Sequence, residues 1–202
     1  MFMDGYDTFF ADSPMTILER YYQMDADIVF GAEREHWPLV DDEFMEKKWP
    51  DTGTPYKYLN SGLYIGTAKA LHAFISMSAP GDDKGDDQLY CQLRYLGHGW
   101  AEGVDGLEWK RERQQERFPY KVKLDVEAYI FQNHEPNIRI VDGQLWNDET
   151  GCCPCIYHGN GGEDAKALFV TMAEKFGLVP EAEVIEPQSP YYLTLDYEEV
   201  AS

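Results

Sequence analysis

The sequence predicts an α/β fold with a mostly parallel sheet, because strand-like segments alternate along it with amphipathic helical segments. The length of 202 residues suits one domain. Hydrophobic residues make up 44% of the chain and aromatic residues 14%, which is enough to form one core and too much for a disordered chain. No internal repeat interrupts the pattern, so we expect a single layered domain.

The first elements are a short strand, a capped helix and a second strand. The opening residues Met1-Phe2-Met3 are apolar and end at an acidic turn, which indicates the last residues of a buried strand. Ser13 before Pro14 is typical of a helix N-terminus, since serine caps free amides and proline fits the first helical position. Apolar residues at helical spacing extend this helix over residues 14–24, and a buried strand follows over residues 27–32.

The middle of the chain combines a surface segment with two further helices. Residues 38–57 contain three prolines and a glycine, so we expect a long surface excursion. Residues 58–66 predict a strand or strand pair with a tight glycine, and Thr67 can cap the helix that follows. A loop over residues 80–85 precedes another helix, whose apolar side chains are Leu89, Tyr90, Leu93 and Leu96.

The last third predicts short strands and a closing helix. Strands are expected near residues 128–132, 138–141 and 154–157. A helix should then run from Glu163 to about Phe176 and end at Gly177, because glycine commonly follows a helix C-terminus.

The charge balance disfavours several classes of partner. There are 17 basic and 37 acidic residues, which give a net charge of −20. Such a chain is unsuited to bind nucleic acid or an anionic membrane by neutralising phosphates. No uncharged apolar run reaches the ~18–20 residues of a membrane helix, and no signal peptide is recognisable. Acidic residues and prolines dominate the end, so we expect a domain over residues 1–178 and an acidic tail over residues 179–202.

Three of the four cysteines crowd into Cys152-Cys153-Pro154-Cys155, and the fourth is Cys91. A structural zinc site needs four ligands, usually from two separated pairs, and no second pair stands at that spacing. We therefore favour reduced thiols in a buried strand over a zinc site.

An acidic turn after the first strand is the first candidate site. The carboxylates of Asp4 and Asp7 would repel each other unless a cation lay between them, and Mg²⁺ and Mn²⁺ prefer such oxygen ligands. Ligands also gather at the carboxyl ends of strands in open α/β sheets. An Asx turn that merely closes a strand would use the same residues, and this motif alone favours the turn.

A glycine-rich turn near the end of the domain is the second candidate site. The motif His158-Gly159-Asn160-Gly161 follows an apolar stretch. Its histidine could offer a neutral imidazole to a metal, and its backbone amides could bind phosphate oxygens. An ordinary Asn-Gly turn beside a histidine is the structural alternative.

Polar side chains within or next to apolar segments form a third group. Four carboxylates before the helix near residue 89 can cap it or hold a sugar hydroxyl. They belong to Asp82, Asp83, Asp86 and Asp87. The amides in Asn60-Ser61-Gly62 and Phe131-Gln132-Asn133 need either buried partners or a ligand. Trp37 could stack on a sugar or a base, although a core tryptophan is the commoner outcome.

These motifs occur in a definite order along the chain. They are Met3-Asp4-Gly5-Tyr6-Asp7, Phe30-Gly31-Ala32-Glu33, Trp37-Pro38, the run from Tyr58 to Gly66, Asp86-Asp87-Gln88-Leu89-Tyr90, Leu124-Asp125, Ile130-Phe131-Gln132-Asn133 and Ile156-Tyr157-His158-Gly159-Asn160-Gly161. As an ordered set over roughly residues 1–161, they resemble the glycosyltransferase domain of the procollagen lysyl hydroxylases, the procollagen-lysine 2-oxoglutarate 5-dioxygenases.

The resemblance implies a GT-A-like domain with a Rossmann-like mixed sheet flanked by helices. It also implies an Mn²⁺-dependent transfer of glucose or galactose, from UDP-glucose or UDP-galactose, to a hydroxylysine-type acceptor in a collagen-like or other hydroxylated protein. The family places a nucleotide-binding segment before the Asp-x-x-Asp strand, so we expect this domain to be N-terminally truncated. The alternatives are a non-catalytic remnant that binds metal or an acceptor protein, and an acidic cation-binding module.

The resemblance and the motifs together assign expected roles. The expected metal ligands are Asp4, Asp7 and His158. The expected nucleotide-binding residues are Tyr6, Gly159, Asn160 and Gly161. The expected catalytic residues are Asn60, Asp86 and Asp87, as a polar cage around the reacting sugar. Further substrate contacts are expected from Trp37, Gln132 and Asn133.

Overall fold

The computed structural model describes residues 1–38, 47–76, 86–96 and 118–178. In these residues the chain forms nine strands and four helices. The strands are β1 (Phe2–Met3), β2 (Thr8–Phe10), β3 (Ile28–Glu33), β4 (Tyr58–Gly66), β5 (Val122–Asp125), β6 (Phe131–Asn133), β7 (Ile138–Val141), β8 (Gln144–Asn147) and β9 (Ile156–His158). The helices are α1 (Pro14–Gln23), α2 (Ala68–Ile75), α3 (Asp87–Tyr95) and α4 (Glu163–Lys175).

The strands form two mixed sheets and a hairpin. One sheet has the order β1-β4-β3-β5, the other has the order β2-β9-β6, and β7 pairs with β8. The predicted α/β class is therefore confirmed, but the predicted mostly parallel sheet is wrong. Among the described strands, only β3/β5 and β6/β9 pair in parallel, and the successive strands β3 and β4 lie antiparallel in the same sheet. Alternation along the sequence thus does not imply parallel neighbours.

The helix starts agree with their predicted caps. The Ser13 hydroxyl accepts a hydrogen bond from the Thr16 amide at 3.1 Å at the start of α1. The Thr67 hydroxyl accepts from the Ala70 amide at 3.3 Å at the start of α2. Both side chains satisfy amides that the first turn leaves without a helical partner, as their sequence positions predict.

The core differs from the sequence prediction at two places. The first strand lies at a sheet edge, so Phe2 is 42% exposed and stacks on Tyr64 instead of being buried. The described part of the predicted surface excursion contributes Trp49 and Tyr56 to the core, at 7% and 1% exposure. These aromatic rings pack against β3 and β4, where burial of their large surface outweighs the local turn signals.

A buried carboxylate fixes the start of β6. The Asp125 side chain is 1% exposed and accepts hydrogen bonds from the amides of Tyr129, Ile130 and Phe131 at 2.8, 2.6 and 2.8 Å. Burial raises the pKa of Asp125 to about 6, although these three bonds act in the opposite direction. Because Phe131 begins β6, the interaction holds the strand that carries Asn133.

The remaining predicted features concern membrane helices, the cysteines and two polar segments. Within the described ranges, no helix is long and apolar enough to cross a membrane. All four cysteines are free thiols, and the stretch from Cys152 to Cys155 precedes β9 instead of lying in a strand. The predicted loop over residues 80–85, with Asp82 and Asp83, and the predicted tail over residues 179–202 lie outside the described residues.

Candidate active site

A cleft of about 1120 Å³ collects side chains from both sheets and from the starts of α3 and α4. Its described lining contains no lysine or arginine. The carboxylates that line it belong to Asp4, Asp7, Glu33, Glu35, Asp86, Asp87, Glu135, Glu163 and Asp164. An anionic ligand such as a diphosphate therefore needs a bound cation to enter this cleft.

The turn between β1 and β2 brings two carboxylates to the end of β9. The Asp4 amide donates to the Gly62 carbonyl of β4 at 3.0 Å, and the Gly159 amide donates to the Asp7 carbonyl at 2.7 Å. The turn thereby bridges the two sheets. His158 Nε2 lies 3.3 Å from Asp4 Oδ2 and 3.5 Å from Asp7 Oδ1. The three predicted metal ligands form one cluster, in which the potential ligand atoms lie within 4.8 Å of one another.

Asn133 orients the imidazole of this cluster. Its Nδ2 donates to the Ala32 carbonyl at 2.9 Å, which fixes the amide so that Oδ1 lies 2.9 Å from His158 Nδ1. Nδ1 must then carry the proton, and the Nε2 lone pair faces Asp4 and Asp7. Such a second hydrogen bond is the usual way to fix the tautomer of a metal-binding histidine.

The protonation states and charges of the cluster favour binding of a cation. Burial lowers the pKa of His158, which favours the neutral imidazole that a metal requires. Burial also raises the pKa of Asp4, with His158 acting in the opposite direction and Asp7 and Asp87 adding to the increase. Two carboxylates and the imidazole nitrogen Nε2 converge at this point. Oxygen and imidazole donors of this kind fit a divalent cation such as Mn²⁺ or Mg²⁺.

Glu33 positions the side-chain amides along the cleft. It is not among the site residues that the sequence predicts. Its carboxylate accepts three hydrogen bonds from side-chain amides: Asn60 and Asn160 each donate to Oε2 at 3.0 Å, and Gln88 donates to Oε1 at 2.7 Å. Glu33 is 7% exposed. Its position at the end of a buried strand was the available signal, because a carboxylate there needs partners.

Burial raises the pKa of Glu33 from 4.5 to about 7, against the effect of its three amide bonds. Between these two values the folded protein keeps a proton that the unfolded chain has released, so the free energy of unfolding falls as pH rises. We expect urea unfolding to show a loss of up to about 3 kcal/mol across this range. Glu33→Gln should reduce this fall in the free energy of unfolding with pH, whereas Glu35→Gln, at an exposed position, should not change it. An equal fall in the wild type and both variants would contradict a raised pKa of Glu33.

Hydrogen bonds to its backbone carbonyl hold Trp37 at the cleft. Its carbonyl accepts hydrogen bonds from Gln88 Nε2 at 2.6 Å and from Gln92 Nε2 at 2.8 Å. Gln92 is fully buried and also donates to the Leu59 carbonyl at 3.0 Å. Trp37 remains 60% exposed and lines the cleft, so it does not take the core position that was the alternative to a substrate contact.

The two carboxylates at the start of α3 have different environments. Asp86 caps the helix, since its Oδ1 accepts from the Leu89 amide at 2.9 Å. Asp87 Oδ2 accepts from the Ser61 hydroxyl at 3.0 Å, and Asp87 lies close enough to Asp4 to affect its pKa. Both carboxylates line the cleft, with Asp87 placed towards the metal-binding cluster.

Three predicted contact residues lie behind the cleft lining. Gln132 is buried, accepts from Asn147 Nδ2 at 2.6 Å and donates to the Asn133 carbonyl at 2.7 Å. Asn133 supports His158, as described above. Gly159 lies under α4, where an added Cβ would approach the Cβ of Phe169 to 2.7 Å. Of the glycine-rich turn, Asn160 and Gly161 line the cleft.

Tyr6 lies in a neighbouring pocket of about 650 Å³ on the other side of the acidic turn. Its side chain is fully exposed. The same pocket is lined by Asp4 and Asp7 and, on α4, by Lys166 and Phe169. The pocket therefore shares the metal-binding carboxylates with the cleft and adds two aromatic side chains and a cation.

Comparisons with known proteins agree with the motif order. A family profile described as "PLOD GT domain" matches residues 1–172. The chain is similar to human multifunctional procollagen lysine hydroxylase and glycosyltransferase LH3, with 31% identity over 182 residues that cover 90% of this chain and 23% of the relative. It is 30% identical over 171 residues to a Caenorhabditis elegans multifunctional procollagen lysine hydroxylase and glycosyltransferase, covering 80% of this chain and 21% of the relative. The chain thus spans about a fifth of the length of these relatives.

Proposed function

Because the chain belongs to the PLOD glycosyltransferase-domain family, we propose that it transfers glucose or galactose from a UDP-sugar to a hydroxylysine-type acceptor. We assign it a GT-A-like architecture and a requirement for Mn²⁺. The observation that carries this proposal is the cluster of Asp4, Asp7 and His158 in the lining of an acidic cleft.

The donor set fits a divalent cation. The two carboxylates and the oriented imidazole would hold Mn²⁺, with Asn133 keeping His158 in the required tautomer. A bound Mn²⁺ would neutralise the charge of the diphosphate leaving group. The chain's own contribution is to bring these three donors together before the ligand binds, so that little reorganisation is needed.

The cleft beyond the cluster suits a sugar and its acceptor. Asn60 and Asn160 each donate one N–H to Glu33, so the second N–H of each amide and the Asp87 carboxylate can orient sugar hydroxyls. The exposed indole of Trp37 offers a flat apolar face for a sugar ring. We assign no residue as a nucleophile.

The acidic lining also favours a cationic acceptor. Hydroxylysine carries an ammonium group beside the hydroxyl that would receive the sugar, and that charge would be attracted by carboxylates such as Glu35, Asp86 and Glu135. A hydroxylated collagen-like segment is therefore the proposed acceptor. Tyr6, in the neighbouring pocket with Lys166, is the proposed contact for the nucleotide.

The proposal is tested by binding first and by transfer second. UDP should be titrated calorimetrically into the full chain with Mn²⁺, with Mg²⁺ and with a chelator. We expect binding only with a divalent cation, because the described lining of the cleft contains no lysine or arginine to neutralise the diphosphate. Transfer from UDP-glucose and from UDP-galactose should then be assayed on a hydroxylysine peptide, with the matching lysine peptide as control.

Each outcome of this experiment has a defined meaning. Transfer to the hydroxylysine peptide alone supports the proposed reaction. Binding of Mn²⁺ by a folded chain that does not bind UDP would contradict it and would support a non-catalytic remnant of the fold.

A further inference from the structure

His134 is the second imidazole in the cleft and takes no part in the metal-binding cluster. It directly follows β6 and is half-buried. Its backbone amide donates to Asn160 Oδ1 at 2.8 Å, and its Nδ1 lies 3.1 Å from the Tyr157 hydroxyl. The residue is therefore fixed at both its backbone and its ring.

The Tyr157 hydroxyl determines which ring nitrogen carries the proton. Tyr157 is fully buried, so its hydroxyl hydrogen needs a protein acceptor, and His134 Nδ1 is the one within reach among the described residues. Nδ1 then accepts, and the proton of the neutral ring lies on Nε2. Burial lowers the pKa of His134, which also favours the neutral ring, while Asp164 acts in the opposite direction.

The Nε2–H group is available to a ligand. In the described part of the chain it has no hydrogen-bond partner, and it is not one of the buried atoms that lack a partner, so solvent in the cleft reaches it. His134 is linked through Asn160 to Glu33, and Glu33 also binds Asn60. His134 is therefore part of the hydrogen-bond network of Asn160, Glu33 and Asn60. This network lies beyond the metal-binding cluster, where the transferred sugar would lie.

We propose that His134 is a specificity-determining residue that donates a hydrogen bond from Nε2 to a hydroxyl of the sugar carried by the UDP-sugar donor. This inference rests on the proposed function, because it needs a nucleotide-sugar in the cleft. Tyr157 is its positioning residue, since the phenol holds the ring in the donating tautomer.

The experiment compares UDP, UDP-glucose and UDP-galactose as calorimetric titrants of the full chain with Mn²⁺. Loss of one hydrogen bond in His134→Leu should weaken the preferred UDP-sugar by about 10-fold and leave UDP within about 2-fold of the wild type. His134→Gln, whose amide can place a donor near the position of Nε2, should recover most of the affinity. Tyr157→Phe, which keeps the ring packing but not the hydroxyl, should fall between the wild type and His134→Leu.

The control is His72→Leu, at an exposed histidine of α2 outside the cleft. It should bind all three titrants like the wild type. The inference is overturned if His134→Leu weakens UDP as much as UDP-sugar, or if it weakens neither. A wild-type chain that binds no UDP in the presence of Mn²⁺ overturns the proposed function itself, which separates the two failures.

Discussion

Asp7→Asn is expected to lower the Mn²⁺-dependent affinity for UDP by more than about 100-fold, since even outer-shell partners of a metal are worth ~10–100-fold. The substitution keeps the shape of the side chain but removes one of the two carboxylates that face His158 Nε2. The Asp7 carbonyl can still accept from the Gly159 amide, so the turn should retain its connection to β9. Calorimetric titration of UDP with Mn²⁺ measures the effect.

Thermal unfolding distinguishes loss of the site from loss of the fold. Without a divalent cation, Asp7→Asn should unfold at the same temperature as the wild type or slightly higher, because it removes repulsion between Asp4 and Asp7. Asp142→Asn, in the exposed turn between β7 and β8, is the matched control and should bind UDP normally. Undiminished cation-dependent binding by Asp7→Asn would remove Asp7 from the proposed ligand set.

The parts of the fold that could be predicted carry their signals in neighbouring residues. Ser13 and Thr67 mark helix starts because a cap is satisfied within three residues of itself. Gly177 follows α4 with a positive φ of 73°, as expected for a glycine at a helix C-terminus. Such signals need no knowledge of the rest of the chain.

The strand arrangement depends on contacts that no local pattern contains. β2 and β5 are three and four residues long and were not predicted as strands, since each is defined by its distant partner. β2 pairs with β9 and β5 pairs with β3. The direction of β4 against β3 is likewise set by packing between segments, and it turned a predicted parallel sheet into a mixed one.

The candidate site shows the same division. The residue types of Asp4, Asp7 and His158 indicated metal chemistry, and the structure brings the three together. The sequence could not show whether a buried side-chain amide binds a ligand or another side chain, because either partner satisfies its polar atoms. The structure gives Gln132 the buried partner Asn147, whereas Asn60 reaches the cleft.

Gly62→Ala is expected to disrupt the metal-binding cluster although residue 62 donates no ligand atom to it. A Cβ at this position would lie 2.3 Å from His158 Cε1 and 2.6 Å from Asp4 Oδ2. The buried imidazole is fixed by Asn133 and cannot easily yield, so we expect it to be displaced from the two carboxylates. Overpacking of this kind costs typically ~1–3 kcal/mol, so Mn²⁺-dependent UDP affinity should fall by at least about 5-fold.

Gly5→Ala adds the same methyl group beside the same ligand, but its Cβ would have no atom within 4 Å. We therefore compare the two alanine variants in the same UDP titration. A loss of affinity in Gly62→Ala alone is due to the clash with His158 and Asp4, because both variants lose the flexibility of a glycine. Normal binding by Gly62→Ala would mean that His158 can move without loss of the cation, and the cluster would then not be a rigid site. Weak binding by Gly62→Ala alone would show that a glycine on β4 makes room for the metal-binding histidine.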